Sequence, residues 1–84
     1  MKEEIRWAIE YDCGLDHIAI DTQRKLGEAL QEITNSLPQN NGYRSFWESM
    51  RRSLLRVEME GWEFGYRLDQ EAERLVVMYA VRRP

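Results

Sequence analysis

From Leu55 to Leu68, apolar and polar residues change places at almost every step. Leu55, Val57 and Met59 alternate with Arg56, Glu58 and Glu60, and Trp62, Phe64, Tyr66 and Leu68 alternate with Glu63, Gly65 and Arg67. A period of two turns one face toward a core and the other toward water, so the stretch predicts a hairpin pivoting near Gly61. The run that follows, Leu75, Val76, Val77, Met78, Tyr79, Ala80 and Val81, is apolar almost throughout and lies between Arg74 and Arg82. It predicts a third strand, more buried than the other two.

The remaining elements are read against this meander. Ile5, Trp7, Ile9 and Tyr11 alternate with Arg6, Ala8 and Glu10, which predicts a first strand from Glu3 to Tyr11. Leu26, Leu30, Ile33 and Leu37 then form one helical stripe that ends at Pro38, with Asp16 or Asp21 as its N-cap. Gln39-Asn40-Asn41-Gly42 has the composition of a turn. Beyond it Tyr43, Phe46, Trp47 and Met50 make a second, shorter helical face. Residues 54–60 satisfy a helical and an extended period together. The strand is preferred because its alternation runs unbroken into the one after Gly61, and because a sheet of fewer than three strands is marginal. The expected architecture is one α+β domain, β-α-α-β-β-β, with a small antiparallel sheet of about four strands and two helices packed on one face. The other face stays partly open.

Composition narrows the function. The 84 residues, 43% of them hydrophobic, suffice for one modest core but not for a cleft between two lobes. Cys13 and His17, alone of their kinds, cannot assemble a four-ligand metal site, and one cysteine makes no internal disulfide. No metal or cofactor is expected, and a reducing cytoplasm is the expected compartment. No apolar run reaches the length of a membrane span or a secretory signal. A net charge of −3 argues against nucleic acid as a strong direct ligand, since such affinity rests on Lys and Arg neutralising phosphates. Charge is unevenly placed, however. Arg44, Arg51, Arg52 and Arg56 face only Glu48 in their stretch, whereas Glu58, Glu60, Glu63, Asp69, Glu71 and Glu73 face only Arg67. Adjacent basic and acidic patches suit a protein partner or self-association.

The stretch from Ser53 to Arg83 resembles the C-terminal half of the RelE/ParE superfamily of bacterial toxins. Leu55-Arg56-Val57, Gly61-Trp62, Tyr66-Arg67, Asp69 and Arg83 fall into that family's frame, and the residues before Ser53 match it in element order. The resemblance implies an antitoxin segment as partner. One departure matters: the arginine that contacts substrate phosphate in ribosome-dependent ribonucleases of the family is matched by Glu63, and a carboxylate repels phosphate. The sequence also stops at Pro84, so the tail that carries a tyrosine or histidine in several ribonuclease members is expected to be missing. What is implied is a member that binds without cleaving RNA.

Metal-free RNA cleavage needs a base, cations on the phosphate and an acid. Arg56, Arg67, Arg83, Tyr66, Tyr79 and Glu58 are the available groups, but cross-strand ion pairs explain their pattern without a substrate. No catalytic residue is therefore assigned. His17 reads as a surface or capping residue, Cys13 lies among acids that disfavour its thiolate, and Asp12, Asp16 and Asp21 match no calcium loop. The candidate binding face comprises Arg51, Arg52, Arg56, Arg67, Arg83 and Trp62. A rival function of another class is a small acidic adaptor or inhibitor that occludes a nucleic-acid-handling machine or dimerises through exposed aromatics.

Overall fold

The computed structural model describes residues 7–37, 44–51 and 53–84. Six elements follow one another: β1 (Ala8–Tyr11), α1 (Ile20–Asn35), α2 (Arg44–Arg51), β2 (Leu55–Met59), β3 (Trp62–Asp69) and β4 (Arg74–Arg82). They build one sheet in the order β1-β4-β3-β2. The chain is thus α+β in the expected sequence of elements. The sheet is mixed, which corrects the expectation of a wholly antiparallel one. β2, β3 and β4 form the antiparallel meander, but β1 lies parallel to β4, with Ala8 beside Arg74 and Tyr11 beside Val77. The cause is the helical crossover after β1, which returns the chain to the end of the sheet where it began, so that β2 and β4 run in the direction of β1. Residues 3–6 of the expected first strand lie outside the described residues.

The two-way reading of residues 54–60 resolves in favour of the strand. α2 ends at Arg51, and the Ser53 N–H closes its last turn on the Met50 carbonyl at 3.0 Å. Leu55, Val57 and Met59 then pair with Tyr66, Phe64 and Trp62. Glu60 and Gly61 both have positive φ, 53° and 82°, the signature of a two-residue type I′ turn. Leu54, which would have extended a helical face, is 43% exposed.

β3, and not β4, is the most buried strand, a second correction. Trp62, Phe64, Tyr66 and Leu68 point into the core, and Glu63 and Gly65 are covered on the other face. The apolar run of β4 has a different origin. Gly65 pairs with Tyr79 and Tyr66 with Val77, which leaves Met78 as an extra residue in a β-bulge. Before the bulge the odd-numbered Leu75 and Val77 face the core. After it the even-numbered Ala80 and Arg82 lie opposite the inward Phe64 and Trp62. A change of phase reads in sequence as a loss of alternation.

The core joins both helices to one face of the sheet. Leu26 and Leu30 of α1 are fully buried with Phe64, Leu75 and Val77, and Ile33 and Leu37 pack at their margin. Trp47 of α2 stacks on Trp7, ring centroids 5.5 Å apart and planes 13° from parallel. Neither Asp16 nor Asp21 caps α1. Ala19 holds that position without a side-chain bond, while the Gln23 amide donates to the Leu15 and Ile18 carbonyls at 2.9 and 2.8 Å and ties the preceding loop to the helix. Asp21 sits in the first turn, where the helix dipole favours a carboxylate, and accepts from Arg24 at 2.7 Å. Among the described residues, no helix is long and apolar enough to cross a membrane.

Phe64 lies at the centre of this packing with no exposed surface. Phe64→Ala is expected to cost about 3–5 kcal/mol in urea denaturation. A loss below about 1 kcal/mol would contradict the packing described.

Candidate functional site

The sheet face away from the helices carries the polar half of the alternation. Arg56 and Glu58 lie on β2 opposite Gly65 and Glu63 of β3, and Gly65 in turn lies opposite Tyr79 of β4. Glu63 is the group around which this face is built. Although charged, it is only 6% exposed, and both of its oxygens are engaged. The Tyr79 hydroxyl donates to Oε2 at 2.7 Å and the Arg83 guanidinium to Oε1 at 2.8 Å. The hydrogen bond to Glu63 raises the Tyr79 pKa, helped by desolvation and the nearby negative charge and opposed by Arg56 and Arg83.

Gly65 makes this arrangement possible. A Cβ at that position would overlap the Tyr79 ring, so the ring lies directly on bare backbone. Arg83 is fixed from behind as well, because its N–H donates to the Gly61 carbonyl at 2.8 Å across the turn.

A second polar group closes the other end of the sheet. Arg74 donates to Glu10 of β1 at 3.0 Å and to Asp69 at 3.2 Å, while the Ala72 N–H also donates to Asp69 at 3.3 Å. These contacts tie the parallel strand to the β3–β4 turn. A cavity of about 490 Å³ lies beside them, lined by Asp12, Trp47, Arg67, Leu68, Asp69, Gln70, Glu71, Arg74, Val76 and Met78. Its walls mix both charges with apolar carbon, and its size suits a single inserted side chain or a small molecule. The Trp47 Nε1–H is buried and has no hydrogen-bond partner among the described residues.

The expected binding residues are only partly brought together. Arg56, Arg67 and Arg83 belong to the open side, Arg83 being held by Glu63. Trp62 does not join them, which corrects its place in an exposed face. It points inward at 9% exposure, with the His17 ring edge-on at 5.1 Å and the Arg82 guanidinium 5.6 Å from its centroid. Alternation itself dictates this, since Trp62 shares the phase of Phe64 and not that of Glu63. Arg52 and the side chain of Arg51 lie outside the described residues. Tyr66 is buried on the core side, which raises its pKa and separates it from Tyr79. Burial, with Asp12 nearby, likewise pushes the Cys13 thiol up and away from reactivity. No three His, Cys, Asp or Glu side chains gather into a metal-binding group among the described residues.

The cover of Glu63 by Tyr79, and the bridging role of Arg74, were not anticipated. The available signal was a glycine in mid-strand, which marks a close approach of another group. Among known proteins, no family model, curated protein or solved structure matches this chain.

Two substitutions test this geometry. Tyr79→Phe removes one donor from a buried carboxylate and is expected to lower stability in urea denaturation. It also changes the pH dependence. The folded state holds the Tyr79 proton more tightly than the ordinary value of 10.0, so this contribution is complete below that pH and is lost as pH rises through the higher folded value. Denaturation at about pH 8 and about pH 11 should show a smaller alkaline loss in the variant, the remainder coming from tyrosines such as Tyr66. Gly65→Ala is expected to expel the Tyr79 ring at a cost of about 1–3 kcal/mol. Combined with Tyr79→Ala it should cost clearly less than the sum of the two, as a double-mutant cycle would measure.

Proposed function

We propose that this chain is a small cytoplasmic protein similar to the RelE/ParE toxins that acts by binding a protein partner, an antitoxin-like segment, and not by cleaving RNA. The observation that carries this reading is the engagement of Glu63 by Tyr79 and Arg83. A metal-free ribonuclease needs cations free to hold the scissile phosphate and groups free to move protons. On this face Arg83 already neutralises a carboxylate, Tyr79 already donates its hydroxyl, and Arg74 is shared between Glu10 and Asp69. Arg56 and Arg67 are exposed, but Glu58 and Glu63 lie among them. Charges of both signs on an extended surface favour a polypeptide of mixed charge over a polyanion.

The test is inducible expression in a bacterial host, with and without the open frame adjacent to the gene. Growth is expected to slow when the chain is made alone, with messages intact, and to recover when the neighbour is co-expressed and co-purifies. Unimpaired growth without a partner would sink the toxin reading. Cleaved messages would overturn the non-catalytic one.

A further inference from the structure

Among the described residues, strand β2 forms the outer edge of the sheet and pairs with β3 alone. Its five residues, Leu55-Arg56-Val57-Glu58-Met59, have a property that its role within a single chain does not require. Set antiparallel to a copy of itself about Val57, the segment is complementary on both faces. Arg56 of each copy falls opposite Glu58 of the other, Leu55 falls opposite Met59, and Val57 meets Val57.

The backbone is in phase with that pairing. In an antiparallel ladder closed by a two-residue turn, the residues flanking the turn bond to each other, and inward and outward bonding alternates thereafter. Met59 and Trp62 flank the turn, so Met59, Val57 and Leu55 bond to β3. Arg56 and Glu58 therefore direct their N–H and C=O groups outward, at the two positions that face each other in the symmetric register.

The side chains point the same way. Arg56 and Glu58 are exposed, and neither has an ion-pair partner among the described residues. Glu58 moreover stands opposite another carboxylate, Glu63, an unfavourable neighbour within one chain. On the helix side Leu55, Val57 and Met59 are only half-buried. An exposed strand edge is a standing template for pairing, which proteins commonly blunt with proline, bulges or charges of one sign. Here the edge has no proline or bulge, and its two charges cancel in the symmetric register.

We propose that the protein forms a two-fold dimer by antiparallel pairing of β2 with β2 of a second copy, centred on Val57, which makes one continuous sheet of the two chains. Each Arg56 then pairs with Glu58 of the other copy on the open face, and the apolar residues close the seam beside the helices. This seam takes up Arg56 and Glu58 at the margin of the open face and leaves Arg67 outside it, and the dimer rests on the edge pairing of β2 and not on the identity of any other partner.

Charge reversal at the edge tests it, read by analytical ultracentrifugation with circular dichroism as the control for folding. The wild-type chain is expected to sediment as a dimer at tens of micromolar, a modest affinity for so short a seam. Arg56→Glu and Glu58→Arg place like charges opposite one another twice in the symmetric pair, and each should weaken dimerisation by about tenfold or more. Both positions are exposed, so both variants are expected to keep the wild-type spectrum. The double variant Arg56→Glu/Glu58→Arg restores opposite charges and should regain the dimer. An equimolar mixture of the two single variants should form a mixed dimer that neither forms alone. A wild-type monomer at up to about 1 mM would overturn the proposal. So would a dimer insensitive to either reversal, or single variants that weaken it without recovery in the double variant and the mixture.

Discussion

A carboxylate removed from water costs several kcal/mol unless its charge and lone pairs are met. Glu63 is met on both oxygens, by a tyrosine from the neighbouring strand and an arginine from just beyond that strand's end. Much else depends on this contact. Tyr79 reaches Glu63 only because Gly65 leaves room for its ring. It occupies the open face only because the bulge at Met78 has changed the phase of β4. Arg83 arrives because its own N–H is anchored at the Gly61 turn. Glycine, bulge, turn and ion pair therefore act as one unit, and a change at any of them is felt by the others.

The same contact sets the charge that the face presents. An arginine at the position of Glu63 would have projected positive charge from the middle of the sheet toward a phosphate. A glutamate there draws Arg83 inward instead, and Tyr79, Glu63 and Arg83 form a network within the protein. The face left exposed is neither strongly basic nor continuously apolar. It presents Arg56 and Arg67 beside Glu58, with a cavity of mixed character at the far end.

How much could be read from the residues varied with the length and purity of the pattern. The β2–β3 hairpin follows from two clean alternations and a glycine, and α1 follows from the spacing of Leu26, Leu30 and Ile33. The environment of β4 did not follow, because one bulged residue converts two alternating segments into what looks like a continuous apolar run. The direction of β1 was illegible for another reason: periodicity reports which faces a strand has, not which neighbour it joins. Trp62 illustrates the difference between a residue type and its phase. Aromatic rings are common in binding sites, but its position in the alternation already assigned it to the core. The Tyr79–Glu63–Arg83 contact links three places along the chain through a single register, and register is specified by the packed sheet as a whole.

The parallel placement of β1 has a consequence for the order in which the molecule can assemble. β2, β3 and β4 are neighbours along the chain, and each can find its partner through a tight turn. Among the described residues β1 pairs with β4 alone, and Ala8 must wait for Arg74. During synthesis the first strand therefore emerges long before the only strand that can receive it, with both helices and the whole meander still to come. Closing so long a loop is slow compared with forming the hairpins. Of all the strand pairings in the sheet, the one that involves the earliest strand spans the longest stretch of chain.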